Sequence, residues 1–136
     1  MTLRSLAPSL VLGATVVSLA FGASAHAATC AGAPPADAVE FRGPVLEVLD
    51  GERLCVALAP NPSTWVPVRL ADARINVSTG PASRGALMAA SFGQDVTCRI
   101  VGRDQDGVIA ECRSDRGSVG RLAQARKTLI AGEAWR

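Results

Sequence analysis

Asp50 and Glu52 flank Gly51 in the stretch VLEVLDGERLCV, residues 45–56. Two carboxylates on a tight turn can offer oxygen ligands to a hard divalent cation, and a cation held so can activate water for hydrolysis. The same residues also suit a plain hairpin corner, since Asp-Gly between apolar runs is a strong turn signal. The choice depends on what the rest of the chain places beside them. The sole histidine, His26, lies in the leader described below, and Cys30, Cys55, Cys98 and Cys112 include no Cys-x-x-Cys pair. That spacing argues against zinc. There is no tyrosine, and beyond the leader the aromatic residues are Phe41, Trp65, Phe92 and Trp135. Binding of single-stranded nucleic acid uses aromatic platforms. Trp65 is the candidate platform; Phe92 and Trp135 read as core.

The elements that must position these groups begin after residue 27. "MTLR" carries one cation, "SLAPSLVLGATVVSLAFG" is apolar, and Ala25-His26-Ala27 is a small-x-small cleavage site, the order of a secretory signal peptide. Its removal predicts a periplasmic or secreted protein with no transmembrane segment. The chain has 14 basic and 12 acidic residues; losing Arg4 leaves 13 against 12, a net charge of +1. So small a charge excludes long-range steering of polyanions. An even cysteine count in a small exported domain predicts disulfides, with three possible connectivities. Cys98–Cys112 is preferred because both fall on neighbouring predicted strands, which leaves Cys30–Cys55 to tie down the N-terminal arm.

Residues 28–39 read as a Pro/Ala linker with nothing to bury, and residues 40–136 as one domain. Val45–Leu49 and "RLCVALA" predict two strands about the acidic turn, and "TWVPVRLADARI" a third, with Pro67 at an edge or bulge. "GPASRGALMAASFG" predicts a helix from Pro81 to Gly93 with Leu87, Met88 and Phe92 facing the core. "QDVTCRIVG" and "GVIAECR" predict two more strands. A closing amphipathic helix carries Val119, Leu122, Leu129 and Ile130, with Arg121, Arg126 and Lys127 on its solvated face. The order β-β-β-α-β-β-α predicts a mostly β, α+β domain: a five-stranded OB barrel with a helix after strand 3 and a C-terminal helix.

With these elements in order, the chain resembles the staphylococcal-nuclease-like (thermonuclease) domains over about residues 40–136. "VLEVLDGERLCV" is similar to V-x-D-G-D-T-[LV]-x-V, and "VPVRLADARI" to V-R-L-x-G-I-D-A-P-E. "GPASRGALMAASFGQDVTCRI", "DQDGVIAEC" and "LIAGEAW" stand for the family's G-x-x-A…L-x-x-x-G-x-x-V, D-x-Y-G-R-x-[LV]-A and L-V-x-x-G-x-A. Cys98 and Cys112 also resemble a pair found in exported members. The resemblance implies an OB fold and, in active members, calcium-dependent cleavage of DNA or RNA.

Transferred residue by residue, the resemblance implies metal ligands at Asp50 and Glu52, the latter one methylene longer than the family's Asp. A two-residue deletion brings Asp72 to a third ligand position. Arg69 matches the first phosphate-binding arginine, with Arg74 beside it. Glu52 and Arg69 are thus remnants of a catalytic set. Val77 falls where the family has its water-activating Glu, and Val108 where it has the second catalytic Arg. Asp106 replaces a Tyr near the nucleotide. Aliphatic side chains neither take a proton nor hold an oxyanion. Losing a charge donor costs about 10²–10³ in rate, and losing a general base about 10²–10⁴. The expectation is therefore an exported, catalytically inactive nuclease-like domain that requires no cofactor and acts as a binding or scaffold module of the envelope. Its expected partners are single-stranded nucleic acid or an envelope protein. The alternative is a weak calcium-dependent phosphodiesterase using Asp50, Glu52, Asp72, Arg69 and Arg74.

Overall fold

The computed structural model describes residues 29–73 and 81–133. The leader (residues 1–27), Arg74, Val77 and Trp135 lie outside the described residues. The chain forms β1 (Glu40–Val48), β2 (Arg53–Val56), β3 (Val66–Leu70), α1 (Pro81–Ser91), β4 (Asp95–Asp104), β5 (Gly107–Ser114), β6 (Gly117–Ser118) and α2 (Val119–Glu133). A short 3₁₀ turn, Pro62–Thr64, precedes β3.

The sheet runs β3-β2-β1-β4-β5-β6 with antiparallel neighbours, and a parallel β3–β5 pairing closes the first five strands of that order into a ring. Val68, Arg69 and Leu70 lie opposite Val108, Ile109 and Ala110 across that closure. β5 divides one edge between two partners, β3 along its first half and the two-residue β6 along its second. The mostly antiparallel sheet with two helices is an α+β fold. β6 is a sixth strand that the sequence pattern does not announce, because two residues carry no periodicity.

Ring closure needs bent strands, and two register shifts bend them. β1 shifts between Val45 and Glu47, and β4 between Ile100 and Gly102. The extra residues, Leu46 and Val101, are exposed, as expected of bulge residues that do not join the ladder. Beyond Leu46 the inward parity of β1 moves by one, from Val45 to Val48. The interior collects Phe41, Val45, Leu54, Val66, Leu70 and Val96 among others, with Leu87 and Ala90 of α1 and Val119 and Ala123 of α2. Pro67 sits just before the first β5 partner, Val68, so its missing N–H is not asked of the closing ladder.

Cys98 and Cys112 are direct cross-strand partners, buried in the core, and are joined to each other. The second bond joins Cys30 to Cys55. It belongs to an arm that corrects one expectation: residues 29–39 are not an idle linker. Cys30 N–H donates to Pro62 O and Gly32 N–H to Trp65 O, both at 2.9 Å. Pro34 is buried. An added Cβ on Gly32 would come 2.1 Å from Thr64 O, so glycine there permits the close approach of arm and core.

Two further expectations are corrected. Phe92 is not core: it is 54 % exposed, just past the last α1 residue, Ser91. Phe92 N–H still donates to Met88 O at 2.9 Å, but the buried stripe of the helix runs through Ser83, Ala86, Leu87, Ala90 and Ser91, and Phe92 falls to one side of it. Leu129 is likewise 68 % exposed, since α2 meets the core through its first turns, Val119 to Ala123. Arg121 and Arg126 are exposed, as a solvated face requires. Among the described residues no helix is long and apolar enough to cross a membrane.

Candidate functional site

The charged residues converge where the β1–β2 turn, β3 and the β4–β5 turn meet. β3 alternates, with Val66, Val68 and Leu70 inward, so Arg69 points outward. Arg53 is its cross-strand partner on β2. Leu70 N–H donates to Glu52 O at 2.9 Å, which holds the acidic turn beside β3. Gly51 lies against α1, where an added Cβ would come 2.6 Å from Ser83 Cβ.

Asp50 spends its oxygens inside this turn. Oδ1 accepts from the N–H groups of Glu52 (2.9 Å) and Arg53 (2.8 Å), and Oδ2 accepts from Arg53 Nε (2.6 Å). Partial burial raises the Asp50 pKa, but these hydrogen bonds, from Glu52 N–H first, outweigh it and hold the carboxyl below its usual range. The bond from Asp50 likewise raises the Arg53 pKa, with Asp106 and Glu52 adding to it from nearby. A depressed folded-state pKa contributes stability above the unfolded value and loses it as pH falls through the folded one. Asp50→Asn is therefore expected to cost about 1 kcal/mol at pH 7, after allowance for screening of an exposed pair. The gap to the parent in thermal melts should begin to narrow below about pH 4, the ordinary carboxylate value, and close as pH falls through the lowered folded-state value. A gap that is constant from pH 7 to pH 3 would show that the charge plays no part.

Arg69 is engaged too. Nη1 lies 2.7 Å from Asp104 Oδ2 and Nη2 lies 3.5 Å from Asp106 Oδ2. Its Nε is buried without a hydrogen-bond partner. Asp50, Glu52, Asp104 and Asp106 thus surround two guanidiniums, and the excess is negative.

Asp72 is not part of this group, which corrects the expected ligand set. Its Oδ2 accepts from the Ser118 hydroxyl, and its Oδ1 is buried and unpaired. It stands at the start of α2, against Gly120, where an added Cβ would come 2.3 Å from Oδ1. A carboxylate at a helix N-terminus is favoured by the unpaired N–H groups there, so its role is structural. Among the described residues no three His, Cys, Asp or Glu side chains are grouped to hold a metal ion. Asp50, Glu52 and Asp72 are thus not grouped as three ligands.

Trp65 is half-buried, with Nε1 donating to Ala59 O at 3.0 Å. Its backbone carbonyl receives the arm through Gly32. Val108 is buried opposite Val68. Ile109 is the residue beside Arg69. Sequence reasoning missed Arg53 and Asp104. An acidic residue two positions from Asp106, on a turn, was a local signal for Asp104. What placed it on Arg69 was the β3–β5 closure, which no local pattern encodes. No protein-family model matches the chain, and no curated protein matches it.

Proposed function

We propose that the chain is an exported, disulfide-stabilised OB-type domain, akin to thermonuclease-like domains, that does not cleave nucleic acid and serves as a binding or scaffold module of the cell envelope. The five-strand ring with a helix after β3 and another at the C-terminus supports the OB reading. Two disulfides and the absence of a membrane-crossing helix among the described residues fit a periplasmic or secreted location.

One observation carries the non-catalytic part. Arg69, the only expected catalytic cation among the described residues, is taken up by Asp104 and Asp106. Phosphodiester scission needs positive groups free to meet charge that builds on the phosphoryl oxygens. Here those donors are already paired, and the surrounding carboxylates repel a polyanion. Incubating the mature protein with single-stranded DNA and with RNA in millimolar calcium should give no turnover above buffer. Turnover that disappears in Glu52→Ala would establish a weak calcium-dependent phosphodiesterase instead.

A further inference from the structure

The β4–β5 turn offers two carboxylates to one guanidinium. A fork that donates to two oxygens through Nη1 and Nη2 is the donor set that binds a phosphate group bidentately. We propose that this turn is a built-in cap: Asp104 and Asp106 occupy Arg69 in place of an external oxyanion and keep phosphodiesters out. The inference rests on the non-cleaving reading above and extends it from cleavage to binding.

The cap is held from several sides. Asp104 Oδ1 accepts the Asp106 N–H at 2.9 Å, which fixes the two carboxylates relative to each other. Gly107 closes the turn against β3, where an added Cβ would come 2.5 Å from Pro67 O. Arg103, one residue before the cap, donates to the arm carbonyls of Pro35, Ala36 and Ala38 at 3.3–3.5 Å. The arm is itself bonded to β2 through Cys30–Cys55. Arg69 lies within β3 with its side chain only 22 % exposed, so strand geometry restrains the guanidinium from swinging toward solvent. A groove of about 390 Å³ between the arm and this turn, lined by Pro34, Val66 and Pro67 as well as by Asp104 and Asp106, leaves open space beside the cap.

Asparagine keeps an oxygen that can accept from Arg69, so neutralising the carboxylates removes a like-charge barrier without leaving the guanidinium bare. The test is fluorescence anisotropy of a labelled oligo-dT at low salt, with chelator present. D104N/D106N should bind about tenfold tighter than the parent or better. Adding R69Q should return affinity to the parental level, and adding R69K instead should keep only part of the gain, since lysine lacks the fork. D95N/D115N makes the same change in net charge at the opposite ends of β4 and β5, and should gain less than about twofold. The proposal fails if D104N/D106N binds like the parent, if the remote pair gains as much, or if the gain survives R69Q. Should D104N/D106N melt early, D106N alone keeps the shorter Asp104 contact and should show a smaller gain with the same dependence on Arg69; no gain there also refutes the cap. Cleavage by the parent in calcium would sink the non-cleaving reading separately, whatever these affinities show.

Discussion

Replacing Cys30 and Cys55 together by alanine should lower the melting temperature by roughly 15 °C or more. The bond spans 25 residues, and the chain-entropy model assigns a loop of that length about 3.5 kcal/mol. In a domain of roughly 100 residues each kcal/mol moves the midpoint by about 4–8 °C. The arm has little else to hold it: the backbone bonds from Cys30 and Gly32, buried Pro34, and the long contacts from Arg103. Thermal unfolding followed by circular dichroism measures the shift, and limited proteolysis reports whether residues 29–39 have come away. The 14-residue Cys98–Cys112 loop predicts a slightly smaller entropic loss, about 3 kcal/mol. A Cys30/Cys55 variant that melts within a few degrees of the parent would mean that closing this loop contributes nothing.

Gly107→Ala should cost about 3 kcal/mol, as backbone strain and overpacking combined. Gly107 has φ +136°, a conformation that L side chains rarely adopt. Its Cβ would meet Pro67 O at 2.5 Å and Pro67 Cγ at 2.9 Å. The carbonyl is β3 backbone and the ring is rigid, so neither yields without parting β3 from β5. Gly117→Ala is the matched control: φ is +119°, yet nothing lies within 4 Å of an added Cβ. It should pay the strain and not the collision. Urea unfolding of both variants isolates the difference. Equal losses would show that the β3–β5 contact is not tight.

The local chemistry was legible where a few adjacent residues decide the outcome. Asp50-Gly51 turns the chain between β1 and β2, Pro81 opens α1, and Gly93 follows it with positive φ. Phe92 and Leu129 were misread for a shared reason. Periodicity says which residues share a helix face, but it does not say which edge of an apolar face the core covers or how far the core extends along the helix. The arm was misread because Pro and Ala look like linker composition, whereas burial of Pro34 and the approach of Gly32 depend on a surface made by residues thirty positions on.

The amino-acid order by itself determined the succession of strands and helices apart from β6, since backbone preference and two-residue periodicity are local. Placing Cys98 opposite Cys112 was readable for the same reason, because they lie on consecutive strands. Only the tertiary structure decided what the charged side chains face. Arg69 meets Asp104 and Asp106 because β3 pairs in parallel with β5, and Asp72 goes to Ser118 because α2 begins beside it. Charges in this chain are matched across 35 and 46 residues. At such separations the partner is chosen by ring closure and helix packing, which minimise exposed apolar surface and unpaired backbone, and not by anything the neighbouring letters specify.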